Sequence, residues 1–222
     1  MNEELYLNQY RNEFVKHLID ENPFCKTKLV DGRDEGKYLI ASQPITDSFD
    51  SKTSEGLIQT YKFMHGSEPF VVGKLECEFF KKNAVAYLGL IELYGAKYSN
   101  LGLGTKMLQV FEAETLDKSI RQISGIFSPF KPEIASQNAV ASFYFKNGYG
   151  LCCDYRDSKK DILYKNFDAN NNPIPPMRNY EDTEKYKLTM LPYLSDDAFG
   201  ALKDSYLKFS QEDYGNFDIY EL

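Results

Sequence analysis

Tryptophan is absent from this 222-residue chain, and histidine occurs only at His17 and His65. The first sits in a helical pattern and the second in a turn signal, so neither is a catalytic candidate. Cysteine is scarce too. Cys25, Cys77, Cys152 and Cys153 form no C-x-x-C pair for zinc and no secreted disulfide framework, which leaves free thiols as the reading. Adjacent Cys152 and Cys153 would point to opposite faces of a strand. No apolar run approaches the roughly 20 residues of a membrane span. The start, Met1-Asn2-Glu3-Glu4, is acidic and unlike a signal or transit peptide, so a cytoplasmic setting is expected. Basic charge is also short. Lys and Arg total 26 against 33 Asp and Glu, a formal charge of -7, and an acidic chain repels phosphate backbones. Neither nucleic acid nor membrane is therefore an expected partner.

What the chain does have is core material. It is 42% hydrophobic and 15% aromatic, with 17 Tyr and 16 Phe, which suits one generous domain or one domain with an appendage and excludes a disordered chain. Residues 3–20 repeat apolar side chains three to four apart, from Leu5 to Leu18, and predict a helix. A polar stretch with Asp31-Gly32 and Glu35-Gly36 leads to a short apolar run at Tyr38–Ala41. Residues 47–56 read as a loop. Leu57–Met64 and Pro69–Phe80 flank the turn signal His65-Gly66-Ser67-Glu68 and predict a hairpin. Ala84–Tyr94 is a further strand. Ser99-Asn100-Leu101-Gly102-Leu103-Gly104-Thr105 then opens a helix through Met107, Leu108, Phe111 and Leu116.

Ile123–Phe127 reads as a buried strand. A helix capped by Ser136 runs to Asn147 and stops at Gly148, and strands follow at Gly150–Tyr155 and Asp161–Phe167. The order is α+β, and no segment repeats another. Asp168–Met177, with three Asn and three Pro, reads as a linker. A strand at Lys187–Leu191, a helix at Asp196–Phe209 and an acidic, aromatic tail are expected beyond it. The expected division is therefore 1–167 as a domain and 168–222 as an extension of unknown role.

Strand, Gly-x-Gly, helix is a physical device for holding phosphate. Small residues let the backbone approach the anion, and the first helical turn offers unbonded N–H groups. Gly102-Leu103-Gly104 alone is a weak signal. It is not a dinucleotide fingerprint, because Met107 stands at the third Gly, and no Gly-Lys-Ser/Thr makes it a P-loop. A second block sharpens it: Asn138-Ala139-Val140-Ala141-Ser142-Phe143-Tyr144-Phe145-Lys146-Asn147-Gly148-Tyr149.

This block resembles the N-x-x-A-x-x-F-Y-x-x-x-G-F pattern of the GNAT acetyltransferase superfamily, with Tyr149 in place of Phe. The earlier block resembles that family's R/Q-x-x-G-x-G loop, and the resemblance covers roughly residues 57–167. It implies a GNAT-like, mixed and mostly antiparallel central sheet flanked by helices, followed here by the C-terminal extension. It implies acetyl-coenzyme A as cosubstrate, no metal, and transfer of acetyl to an amine of a small molecule or protein. Carried over by residue, the resemblance places pyrophosphate at Leu101, Gly102, Leu103, Gly104 and Thr105. It places pantetheine at Leu93 and Tyr94, a coenzyme contact at Asn138, and the acid for the departing thiolate at Tyr144.

The chain departs from the family in three ways. Ser99 replaces the leading Arg or Gln. Only residues 45–56 remain for the acceptor-lining helices, so either the N-terminal helix takes their place or the acceptor site is unusual. The extension has no recognised counterpart. An amine with a pKa of about 10.4 must lose a proton before attack, which calls for a base. Glu92 on the strand before the loop is one candidate, set against a solvated strand carboxylate. Glu133, five residues before Asn138, is another, set against a charged loop residue. A rival reading is a GNAT-like module that holds the coenzyme or nothing and works through protein contacts. The extension is then the expected seat of a homodimer or partner contact. A tRNA acceptor would call for a basic surface, which the acidic balance disfavours.

Overall fold

The computed structural model describes residues 3–46, 53–64, 68–127, 137–154 and 157–176. The chain divides into two compact units, with the boundary between Ile120 and Arg121.

The first unit begins with α1 (Glu3–Glu21), followed by five strands: β1 (Lys26–Asp31), β2 (Lys37–Thr46), β3 (Thr53–Lys62), β4 (Phe70–Phe80) and β5 (Val85–Leu93). They pair in sequence order, each antiparallel to the next. α2 (Leu103–Asp117) completes the unit.

The two helices use opposite faces of this sheet. α1 sets Phe14 edge-on to Tyr61 and Phe63 at 5.0 and 5.6 Å and packs over Leu39 and Ala41. α2 brings Phe111 to 6.0 Å from Phe79 and buries Leu103, Met107, Leu108 and Phe111 completely. Strand alternation explains both: Leu39 and Ala41 turn one way, Ile40 the other.

In the second unit, β6 (Gln122–Phe127) and β7 (Gly150–Asp154) lie on either side of β8 (Asp157–Phe167), both antiparallel to it. α3 (Gln137–Lys146) lies between β6 and β7 in the chain. β9 (Pro173–Ile174) pairs with Asn166 and Phe167 of β8.

The expected helices and strands are all present except those that fall outside the described residues: Ser136, the His65 turn and every element after residue 176. Three readings need correction. The polar stretch before Tyr38 contains β1, an edge strand in which Lys26, Lys28, Leu29 and Asp31 are exposed and Thr27 half-buried; among its six side chains only Val30 is buried. The loop read over 47–56 is shorter, since Thr53 already belongs to β3. The breaker-rich run after Phe167 starts as a tight turn. The Asp168 carboxylate accepts hydrogen bonds from the backbone N–H of Asn170 and Asn172, both 2.8 Å, and β9 follows with Ile174 buried. The Asn172 side-chain amide also donates to this carboxylate, at 3.1 Å, and that bond first, with the backbone ones, holds the Asp168 carboxyl below its usual pKa.

Candidate functional site

The end of β5 and the start of α2 bring together seven of the residues singled out by sequence: Leu93, Tyr94, Leu101, Gly102, Leu103, Gly104 and Thr105. The Tyr94 N–H donates to the Val72 carbonyl at 2.8 Å, so the ladder with β4 runs one residue past β5. A short turn at Ala96–Tyr98 buries Tyr98 and reverses the chain. Asn100 (φ 63°) and Gly102 (φ 78°) then occupy the left-handed region, where Gly carries no penalty and Asn a small one.

Gly102 caps α2 with backbone alone, and no side chain caps the helix. The Lys106 N–H, bonded to the Gly102 carbonyl at 3.1 Å, is the first to close a helical turn. The amides of Leu103, Gly104 and Thr105 precede it, at the positive end of a 15-residue helix. Leu103 and Gly104 are buried while Thr105 is half-buried, so packing fixes this turn from beneath.

Glu92 sits one residue before this stretch, and a bulge decides its face. Glu76 pairs with Leu90 but Cys77 pairs with Leu88, so Gly89 is the extra residue in β5. Leu88 therefore faces α2 while Glu92, four residues on, faces the α1 side opposite Lys74. Lys74 bonds Glu76 at 2.6 Å, and this carboxylate raises its ammonium pKa. Leu93 turns the other way, toward Met107.

The β1–β2 turn, which sequence reasoning left without a role, is fastened to the same loop. The Arg33 N–H donates to the Leu101 carbonyl at 3.1 Å, and Arg33 Nη1 to the Asn100 carbonyl at 3.5 Å. Next to it the Tyr38 hydroxyl donates to Asp34 at 2.8 Å, which draws the Asp34 carboxyl below its usual pKa. Lys62 Nζ lies 3.9 Å from Asp34 and over the rings of Tyr38 and Tyr98, at 5.4 and 5.7 Å. Apart from the Tyr38–Asp34 bond, this network joins residues 24 to 68 positions apart in sequence, so no local signal announces it.

In the second unit, Tyr144 lies in the last turn of α3, 9% exposed. Its ring meets Phe143, Tyr149 and Phe127 at 5.1, 5.7 and 6.2 Å, all edge-on. Burial pushes its hydroxyl up to about 12. The group is thus protonated at neutral pH, as a proton donor must be. Asn138 lies in the first turn of α3, and Glu133 falls outside the described residues.

Among the described residues no group of three or more His, Cys, Asp or Glu could hold a metal, and no helix is long and apolar enough to cross a membrane. Cys25 and Cys77 are free, buried thiols. A shallow groove on α1 is lined by Asn8, Gln9, Asn12, Glu13 and Lys16, all from one helix, and lies outside the motif residues.

No family model matches the chain, and no curated protein does. Solved structures similar to it include the PaiA N-acetyltransferase of Thermoplasma acidophilum in complex with coenzyme A, at 19% identity and a TM-score of 0.39, over 50% of this chain and 60% of that one. A GNAT-family acetyltransferase from Staphylococcus aureus matches at 18% identity and a TM-score of 0.38, over 53% and 70%. The GNAT domain of PAT from S. lividans matches at 10% identity and a TM-score of 0.44, over 64% and 97%. The chain thus spans 60% of the length of the first of these. With every score below 0.5, the functional reading rests on this chain's own motifs and geometry.

Proposed function

We propose that this protein binds acetyl-coenzyme A and transfers its acetyl group to an amine. The observation that carries the reading is the start of α2. A strand ends, left-handed Gly102 follows, and three amides precede the first helical bond with no side-chain cap. That is the arrangement an anionic diphosphate satisfies. The N-x-x-A-x-x-F-Y run on α3 supports the same reading from sequence.

Under this reading the coenzyme's pyrophosphate takes the amides at Leu103, Gly104 and Thr105, and pantetheine runs along Leu93 and Tyr94. The acceptor amine loses its proton, with Glu92 as the base to test first and Glu133 as the second. The amine nitrogen then attacks the thioester carbonyl, and the C–S bond breaks as the new C–N bond forms. Tyr144 donates toward the departing sulfur.

Burial sets a limit on that donation. Against a thiol of pKa about 8.5, full transfer from a hydroxyl near 12 is uphill by about 5 kcal/mol, unless the coenzyme sulfur is desolvated as well. Tyr144 then acts as a hydrogen-bond donor to charge developing on sulfur. The balancing proton is the one released by the amine.

Calorimetry with acetyl-coenzyme A, followed by thiol release in the presence of amine mixtures, tests the proposal. Binding with release supports it. Binding without release leaves a coenzyme-holding module that works through protein contacts. Absence of binding removes the coenzyme from the account.

A further inference from the structure

We infer that Arg33, carried on the β1–β2 turn, is the side chain that meets the coenzyme's phosphate at the start of α2, in the role that Ser99 cannot fill. The inference rests on the coenzyme reading above. Ser99 offers a short neutral hydroxyl, so the loop's own sequence supplies no cation at its leading position. The β1–β2 turn supplies one from elsewhere in the chain. Besides its bonds to the Leu101 and Asn100 carbonyls, Arg33 sets Nε 3.9 Å from where a Cβ on Gly102 would stand.

Two of the turn's three carboxylates are already engaged, and the third, Glu35, is exposed and forms no ion pair among the described residues. Asp34 accepts from Tyr38 and from the Gly36 N–H at 3.2 Å, and Asp31 pairs with Lys37. Among the described residues, no carboxylate forms an ion pair with Arg33, and its one side-chain hydrogen bond goes to a neutral carbonyl. An exposed guanidinium therefore stands beside the positive end of a 15-residue helix. Two positive poles side by side disfavour each other, and an anion bound to both reverses the sign of that interaction. A guanidinium also presents five N–H donors in a planar fork, which suits phosphate oxygens. Asp34, Tyr38, Lys62 and Tyr98 hold the turn in place, which makes them positioning residues.

The test is calorimetric titration of coenzyme A into the full chain and into Arg33→Ala, Arg33→Lys and the double variant Arg33→Ala/Ser99→Arg, at low and high salt. Arg33→Ala should weaken binding by roughly tenfold at low salt, with a smaller gap at high salt, because exposed charge contacts are screened. Arg33→Lys should recover most of the loss, and Ser99→Arg part of it. Melting temperatures should stay close together, since Arg33 is exposed. Unchanged affinity in Arg33→Ala, with the wild type binding, overturns the inference and leaves the coenzyme reading standing. Equal, salt-independent weakening in the Ala and Lys variants also overturns it, by making Arg33 a strap for the loop backbone. A wild-type chain that does not bind coenzyme A overturns the coenzyme reading itself, and the inference with it.

Discussion

α2 and α3 treat their ends in opposite ways. α2 opens on Gly102 with no side-chain cap, and three amides precede its first helical bond. α3 closes under several protein bonds. The Tyr144 carbonyl accepts from the N–H groups of Asn147 and Tyr149, both 3.0 Å, and the Phe143 carbonyl accepts from the Asn147 amide at 2.8 Å. The Lys165 ammonium donates to the Asn147 carbonyl at 2.8 Å and lies over the rings of Tyr149 and Phe167. A cation at the carbonyl end of a helix is stabilising, and it is supplied here by the protein. A helix end sealed by side chains serves stability. Under the proposed reading, one left to bare amides, with a cation fastened beside it, serves binding.

The largest effect should come from disturbing the open end. Gly104→Glu puts a side chain into a buried position and a carboxylate among the amides, and acetyl-coenzyme A binding should become undetectable by calorimetry. Thr105→Glu, half-buried, brings the same charge with less strain. If both bind normally while folded, the loop is not the phosphate site.

Next in size is Tyr144→Phe, which keeps the ring and its edge-on contacts and removes the hydroxyl. Turnover should fall by roughly 10²–10³-fold with coenzyme affinity nearly unchanged, because the hydroxyl donates to charge that develops only in the reaction. A proportional loss of stability would instead make Tyr144 a core residue.

The same variant reports on alkaline stability. Burial raises the Tyr144 pKa from 10 to about 12, so the unfolded chain gives up this proton first. The stability tied to the neutral hydroxyl is complete below pH 10 and is lost as pH rises through 12, by about 2–3 kcal/mol. Cys77, also pushed up to about 12 by burial, adds a loss that begins at pH 9. Denaturant midpoints should fall over this range, and less steeply in Tyr144→Phe.

At the sealed end, Lys165→Met should cost about 1–2 kcal/mol of stability, through the lost bond to the α3 terminus, and leave coenzyme affinity within a few-fold. The smallest effect, about 1 kcal/mol, should follow Gly148→Ala. Its φ of 78° disfavours a side chain, while the added Cβ meets Lys165 only at ordinary contact distance, 3.7 Å. Chemical denaturation and coenzyme titration on both variants check the contrast: a sealed end that proved to control binding would erase the distinction between the two helices.

Local pattern carried a large part of this far. Apolar spacing marked α1, the Gly-x-Gly run marked the start of α2, and left-handed Gly148 marked the stop of α3, because each is a short-range backbone requirement written in neighbouring residues. β1 escaped notice because an edge strand with one face in water needs little apolar pattern to form. It is held mainly by its ladder to β2, with Leu29 opposite Leu39. The turn at Asp168 has the sequence of a breaker cluster. Its Asn and Pro residues do break the strand, and they also fold it back on β8, which a one-dimensional reading cannot distinguish from a linker.

The candidate site divides along the same line. Sequence alone determined that an amide-rich helix start follows β5 and that Tyr144 ends α3, since both are set by contiguous residues. Tertiary structure decided which way Glu92 points. An unbroken strand would place it on the face of Leu88, and the bulge at Gly89, visible only through the pairing with β4, turns it toward Lys74. Tertiary structure also decided where the loop finds its positive charge. Arg33 is 66 positions from Ser99, and it reaches the loop only because the β1–β2 turn packs there and its backbone N–H bonds to Leu101. The reason is one of range: helix starts and stops are fixed by bonds within a turn of chain, whereas the charge and facing of a site depend on which distant strands come to lie side by side.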